Sequence, residues 1–459
     1  MQGCRHARAN RGDPVTLLVI SPDYASHLYP LATLATAWRD EGERVVVATG
    51  PATDDVVRGF GYQREHLQLG RGSNPGVIRA EEQPPGEDDS LRGFFAATRE
   101  GAVAALTFQA RARGVDLLWN AVEVAREVHQ LVERVRPDAV LVDHLAFGAR
   151  LGLVSAKVPH ADVVLGHPSA LTVGDEVYGY PPAWPHCIHP DPHALADLRA
   201  LCVDVRDTFT AHWNAALAEL DPAARPSRDA FAETGDLLLL NYPGSLHEPE
   251  RTALLPAHTF LGSAVRREPR DPGVEKWLAG GGPVVYVSLG SFLSARSDLL
   301  AVVAEALRGL HVRVALATGS APTELLGPLP PEWLVRAFLP QVRLLAHCAV
   351  AVSHGGNNSV TEALTAGVPL LVLPLSTDQF AGAAAVERGR VGVCLDPNAA
   401  TPAGIRMAVL DLLSPGRIRD AAAELGAALQ EVPGAQRAHA AVSATWPAPA
   451  PGKTGRLRE

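Results

Sequence analysis

Ala349-Val-Ala-Val-Ser-His-Gly-Gly-Asn-Asn-Ser-Val-Thr-Glu362 reads as a buried strand, a glycine turn and the opening of a helix. Ala349 to Val352 is an apolar run of strand length. His354-Gly355-Gly356 turns the chain, and paired glycines let the main chain come close to whatever lies beyond the strand's carboxyl end. The start of the following helix offers unpaired N–H groups and a partial positive charge. That is a place for an anion, a diphosphate among them. Asn358 and Ser359 add side-chain hydrogen-bond groups, and His354 adds an N–H donor. The same letters also fit an ordinary capped helix with Ser359 as its N-cap. The neighbouring sequence decides between the two.

Outward from this stretch the strand–turn–helix unit repeats. In the second half, strands are expected at Val284 to Ser288, Val312 to Leu316, Leu370 to Leu373 and Val391 to Leu395. In the first half they are expected at Val15 to Ile20, Arg44 to Ala48, Ala139 to Asp143 and Ala161 to Leu165. Nearly continuous apolar strands alternating with helices indicate parallel sheets covered on both faces. The expected architecture is therefore α/β, two doubly wound units in tandem. Residues 1–262 form the first, 263–283 a Gly/Pro/charge-rich linker, 284–435 the second, and 436–459 a returning helix and a Pro/Ala tail. Residues 71–90 read as a mobile loop. Tyr178 to Pro192, with five prolines, reads as irregular chain bordering a cleft. Ligands of such sheets bind beyond the carboxyl ends of the strands.

The 459 residues are 47% hydrophobic and 20% charged, the mix of a soluble globular protein with ample core. A formal charge of −9 disfavours a nucleic-acid binder, which would show a basic surplus. The five cysteines are scattered, which excludes a disulfide framework or a standard zinc knuckle and points to a reducing, cytoplasmic setting. No apolar run approaches the roughly 20 residues of a membrane span. Arg5, Arg8 and Arg11 precede an apolar run too short and too late for a signal peptide. The histidines form no metal-ligand spacing, so no metal is expected.

Two further elements flank the glycine turn: Phe338-Leu-Pro-Gln341 upstream and Pro374-Leu-Ser-Thr-Asp-Gln379 downstream. Taken together, Phe338 to Gln379 resembles the nucleotide-sugar signature of the family-1, GT-B-fold UDP-glycosyltransferases, which include plant natural-product and bacterial macrolide enzymes. The resemblance implies two Rossmann-like domains facing a central cleft. It implies that Phe338 stacks on the base and Gln341 bonds its edge. His354, Gly356, Asn358 and Ser359 would hold the diphosphate, Glu362 the ribose hydroxyls, and Asp378 and Gln379 the donor sugar. Ser291, after the strand Val284 to Ser288, matches a phosphate-side loop. Asn357 stands where plant members carry an aromatic and Phe338 where they carry Trp, so uridine and thymidine both stay open. The Asp378-Gln379 pair resembles hexose users, which favours a UDP-hexose.

The first half should hold the acceptor and the base. His27 lies in the loop after the first strand, where the family carries a His in a similar setting, and an imidazole takes a proton near neutral pH. Asp143 ends another strand and resembles the family's aspartate that fixes the tautomer of that histidine. It also stands where a helix N-cap would. His144, its neighbour, is a candidate for the acceptor site. The expectation is an inverting hexosyltransferase of bacterial antibiotic or other natural-product biosynthesis. It would need no cofactor or metal, would use a nucleotide sugar and a small-molecule acceptor without nucleic acid or membrane, and would be a monomer or weak homodimer. The alternatives are an epimerase or hydrolase of nucleotide sugars on the same fold, and a non-catalytic partner protein.

Overall fold

A computed structural model describes residues 15–76 and 87–447. The first lobe is built on β1 (Thr16–Ile20), β2 (Arg44–Thr49), β3 (Gln63–His66), β4 (Ala139–Asp143), β5 (Ala161–Val164), β6 (Leu237–Leu240) and β7 (His258–Phe260), in the order β3-β2-β1-β4-β5-β6-β7. The second is built on β8 (Val284–Ser288), β9 (Arg313–Ala317), β10 (Leu334–Arg336), β11 (Val350–Ser353), β12 (Leu370–Val372) and β13 (Gly392–Cys394), in the order β10-β9-β8-β11-β12-β13. The strands within each sheet pair in parallel.

The packing follows from strand periodicity. In β1, Leu17 and Val19 enter one apolar core and Leu18 and Ile20 another. In β8, Val285 and Val287 face one core and Tyr286 the other. Alternate residues leave opposite faces of a strand, so a continuous apolar run needs helices on both sides. Strand order reverses between β1 and β4 and again between β8 and β11. The connections leave in opposite directions there, so a crevice opens at the carboxyl ends of those four strands.

Three expectations about the connecting chain are corrected. The helix Pro272–Leu278 lies inside the stretch read as linker, and it packs on the second lobe through the wholly buried Val274. Asp271 caps it from its side chain and Pro272 opens it, a helix start concealed by the surrounding Gly and Pro. The stretch read as a mobile loop contains the start of a helix, Glu87–Glu100, whose Phe94 enters a core of the second lobe; residues 77–86 lie outside the described ones. Short strands at β3, β6, β7 and β10, which were not among the expected strands, extend the sheets, β6 as a run of four buried leucines.

The irregular stretch 178–192 leads into the long helix Pro192–Leu220. Tyr178 stacks on Phe231 at 3.9 Å between ring centroids, and Phe231 on Phe209 at 4.0 Å. This aromatic stack anchors one wall of the crevice to the first lobe. The helix Gly434–Thr445 lays Ala438 and Val442 into a core of the first lobe, and residues 448–459 lie outside the described ones. Among the described residues no helix is long and apolar enough to cross a membrane.

Candidate active site

The helix Ala25–Leu34 starts four residues beyond β1 and carries His27 in its first turn. Asp143 is the last residue of the neighbouring strand β4. Their side chains meet at the reversal point, His27 Nδ1 to Asp143 Oδ2 at 2.7 Å. Asp143 is 1% exposed, and its other oxygen accepts from the Leu145 main chain at 2.8 Å. Of the two roles open from its position, the aspartate takes the histidine partner's: it grips the imidazole and closes the turn after β4, while the helix Phe147–Ser155 is capped by Ala146 with no side-chain bond. A carboxylate at Nδ1 places the proton there and leaves Nε2 as the acceptor nitrogen. Burial alone would lower the His27 pKa; the charge and hydrogen bond of Asp143, with a further contribution from Asp378, more than offset it and raise the pKa above its ordinary value. Burial would likewise raise the Asp143 carboxyl, but His27 and the Leu145 N–H hold it below its usual range.

Across the crevice, β11 ends at Ser353 and the chain turns through Gly355, which has φ +85°. Gly356 caps the helix Asn357–Thr365, with no side chain closing its first turn. Ser359 therefore stands inside the helix rather than at its cap. His354 is pressed between Gly356 and Gly290, which has φ +76°; a Cβ on either glycine would collide with the ring. Burial holds the imidazole near 4, a Ser288 main-chain contact only partly opposing it, so His354 is neutral at neutral pH. It can serve a diphosphate as a hydrogen-bonding group but not as a cation.

A cavity of about 430 Å³ joins the two lobes. His27, Phe338, Gln341, His354, Gly356, Asn358, Ser359, Glu362 and Asp378 all line it, and Asp143 stands behind His27. Phe338 is 59% exposed at the rim, a position open to stacking. Ser291 belongs to the short helix Gly290–Leu293 after β8, but its side chain lies outside the described residues.

Several of these residues are already engaged. Glu362 accepts from Arg266 Nη1 at 2.7 Å on one oxygen and from Gln341 Nε2 at 2.6 Å on the other. Burial raises its pKa, with Arg266 and Gln341 opposing. Gln341 also accepts from the Tyr286 hydroxyl at 3.2 Å, so both ends of its amide face protein. Asp378 Oδ2 accepts from the His167 main-chain N–H at 2.5 Å, and Oδ1 from Thr377 Oγ1 at 2.9 Å. Thr377, itself in the cavity wall, has φ +54°, a conformation unusual for a β-branched residue. Asn358 Nδ2 donates to the Ser26 carbonyl at 2.7 Å. That carbonyl would ordinarily accept from the residue four positions on, which is Pro30 and has no N–H. The proline frees an acceptor in one lobe and an asparagine of the other takes it.

Two expectations fail on geometry. Gln379 does not reach the cavity. It is buried, its Oε1 accepts from the Leu375 and Ser376 main chains, and it holds the turn that opens the helix Gln379–Arg388. His144 is also buried, with Nε2 on the Ala170 carbonyl at 3.2 Å and its pKa lowered to about 4 by burial and Arg150. Its neighbour Leu145 faces the cavity instead. Conversely, Arg266 lines the cavity, pairs with Glu362 and Glu268, and lies over the Tyr29 ring at 5.0 Å. It sat in a run of charges, and only its folded partners reveal it. Asn357 is buried and donates to the carbonyls of Leu165 and Asn241, bridging the lobes.

With this geometry in place, the family model described as UDP-glucoronosyl and UDP-glucosyl transferase matches residues 207–430. The 4'-demethylrebeccamycin synthase of Lentzea aerocolonigenes is 35% identical over 195 residues, covering 42% of this chain and 46% of that one. The chain spans about a third to a half of the length of the curated relatives it matches. Among solved structures, the glycosyltransferase of kitacinnamycin aligns with TM-score 0.65 and 20% identity over 95% of this chain and 99% of that one. VinC in complex with DTDP aligns with TM-score 0.63 and 19% identity over 93% and 98%. The chain has the GT-B fold of two parallel α/β lobes around a crevice, and its residues 207–430 are similar to the UDP-glucoronosyl and UDP-glucosyl transferases.

Proposed function

We propose that this chain is an inverting glycosyltransferase that moves a hexose from a nucleotide-diphosphate sugar, UDP favoured, to a hydroxyl of a small-molecule natural product. The observation that carries the reading is one cavity with a carboxylate-held imidazole on one wall and an open helix start on the other. His27 Nε2 takes the proton of the acceptor hydroxyl as its oxygen attacks the anomeric carbon, and the bond to the diphosphate breaks on the opposite side. Asp143 stabilises the imidazolium that forms. A positioned base contributes about 10²–10⁴-fold. The transition state carries oxocarbenium character at the sugar. The departing diphosphate gains negative charge, which the N–H groups at the start of helix Asn357–Thr365 and the Ser359 hydroxyl are preorganised to receive. This positive end does the work of a cation, so the reading requires no metal. An α-linked donor gives a β-glycoside. The acceptor meets the wall formed by Leu145, Ala170, Tyr178 and Pro181. The enzyme would act in the cytoplasm, as a monomer or weak dimer.

A thymidine-diphosphate donor is the second reading. Both Glu362 oxygens already accept hydrogen bonds, which leaves less capacity for a ribose 2′-hydroxyl. Calorimetric titration with UDP and dTDP, followed by transfer assays with UDP-glucose and an acceptor panel, tests both. Tighter UDP binding and glucoside formation are expected. Binding of neither nucleotide would overturn the reading.

A further inference from the structure

Away from the cavity, Cys187 of the first lobe and Cys394 of the second bring their sulfurs to 3.0 Å, across 207 positions of sequence. Cys394 ends β13 and is buried; Cys187 is partly exposed and lies in the irregular stretch before helix Pro192–Leu220. The seam around them is set by other contacts. The His186 main-chain N–H and ring Nδ1 both lie on one Glu387 oxygen, at 2.8 and 3.1 Å. The Trp184 and Phe380 rings lie 5.0 Å apart. These contacts add to the thiol–thiol hydrogen bond in holding the two sulfurs together.

We infer that Cys187 and Cys394 form a reversible disulfide that clasps the two lobes. The separation is about 1 Å longer than an S–S bond. Two thiolates on a tetrahedral zinc would instead stand about 3.8 Å apart. A metal would have to spread the sulfurs within a packed seam. Among the described residues only Glu387 joins them as a third donor, and that carboxylate already holds His186. Closure to a disulfide requires only that the sulfurs approach. The Cys394 thiol is buried and is pushed up by its hydrogen bond with Cys187 and by burial, so Cys187, the less buried of the two, is the one an oxidant meets first. With hydrogen peroxide as oxidant, peroxide oxidises Cys187 to a sulfenic acid and one water leaves. The Cys394 sulfur then displaces the hydroxyl, the S–S bond forms, and a second water leaves. Two S–H bonds and the O–O bond break, and two electrons pass from the thiol pair to the peroxide.

The bond would join the stretch that lines the acceptor side of the cavity, through Tyr178 to Pro181, to β13, the strand that follows the helix beginning beside Asp378. It would hold the lobes from parting, and transfer would slow. That consequence rests on the proposed glycosyl transfer; the bond itself does not.

The test is peptide mapping of the full chain, reduced, freed of reductant and exposed to hydrogen peroxide. The expected result is one peptide pair joined through Cys187 and Cys394, lost on reduction and missing from both Cys187→Ser and Cys394→Ser. The melting temperature should rise by about 5 °C, and transfer should fall at least fivefold and return with dithiothreitol. The proposal is overturned if both thiols remain open to alkylation, if Cys187 goes on to sulfinic acid or joins another cysteine, or if the untreated chain holds stoichiometric zinc that Cys187→Ser loses. Equal turnover of linked and reduced protein would overturn the clasp's effect on transfer. Absence of transfer in the reduced protein would count against the glycosyltransferase reading and leave the mapping to decide the bond.

Discussion

His27 and Asp143 meet at 2.7 Å using only groups of the first lobe, whereas Glu362, Asn358 and Asp378 on the facing wall already have protein partners. Two of those three residues reach the opposite lobe, Asn358 at the Ser26 carbonyl and Asp378 at the His167 N–H. The difference separates two kinds of preparation. On the proposed reading the imidazole and its carboxylate would need no rearrangement before acting, as preorganised catalysis favours. The facing wall, if it takes the donor as proposed, would exchange protein contacts for ligand contacts, and some of those exchanges would loosen the seam between the lobes. Donor binding and lobe movement are coupled on this account.

The comparison can be broken most sharply at the imidazole. His27→Ala should lower the transfer rate by about 10³-fold while donor affinity, by calorimetry, changes less than about threefold; near-normal turnover would remove His27 from the chemistry. On the facing wall the effect should fall on binding. Ser359→Ala or Glu362→Ala should weaken donor affinity by about 10- to 100-fold, and unchanged titrations would dismiss the cradle. Asn357→Ala strands two buried carbonyls at the seam and should lower unfolding stability by about 1–3 kcal/mol in urea titrations; a neutral result would mean the lobes part easily without it. Phe338→Ala, at the exposed rim, should have the smallest effect, about a tenfold loss of nucleotide affinity.

The sequence disclosed positions more readily than orientations. His27, Asp143 and His354 were legible because apolar strands end just before them, and the ends of parallel strands are where such sheets bind ligands. Gln379 was misread: it shares a turn with Asp378, but its amide closes that turn from inside. Asn357 stood out only as a departure from an aromatic; its bridging role depends on carbonyls more than a hundred residues away. Arg266 gave no local signal, since a charge run ordinarily lies in solvent and it is the buried Glu362, with Glu268 and the Tyr29 ring, that draws this one in. Helix Pro272–Leu278 was hidden by its own start signals, Asp271 and Pro272, which also mark loops.

The central claim is that Asp143 tunes the imidazole that serves as the base, and the pH dependence of the transfer rate tests it most directly. A base acts when neutral, so the rate should rise with pH through the His27 pKa and level off above it. Asp143 raises that pKa, so the acid limb of the native protein should lie above the ordinary imidazole value of about 6.5. Asp143→Asn removes the charge, so its acid limb should move to lower pH and its plateau should fall by about 10²-fold or more. Acid limbs that coincide in the two proteins, or a native rate that does not change with pH, would contradict the account.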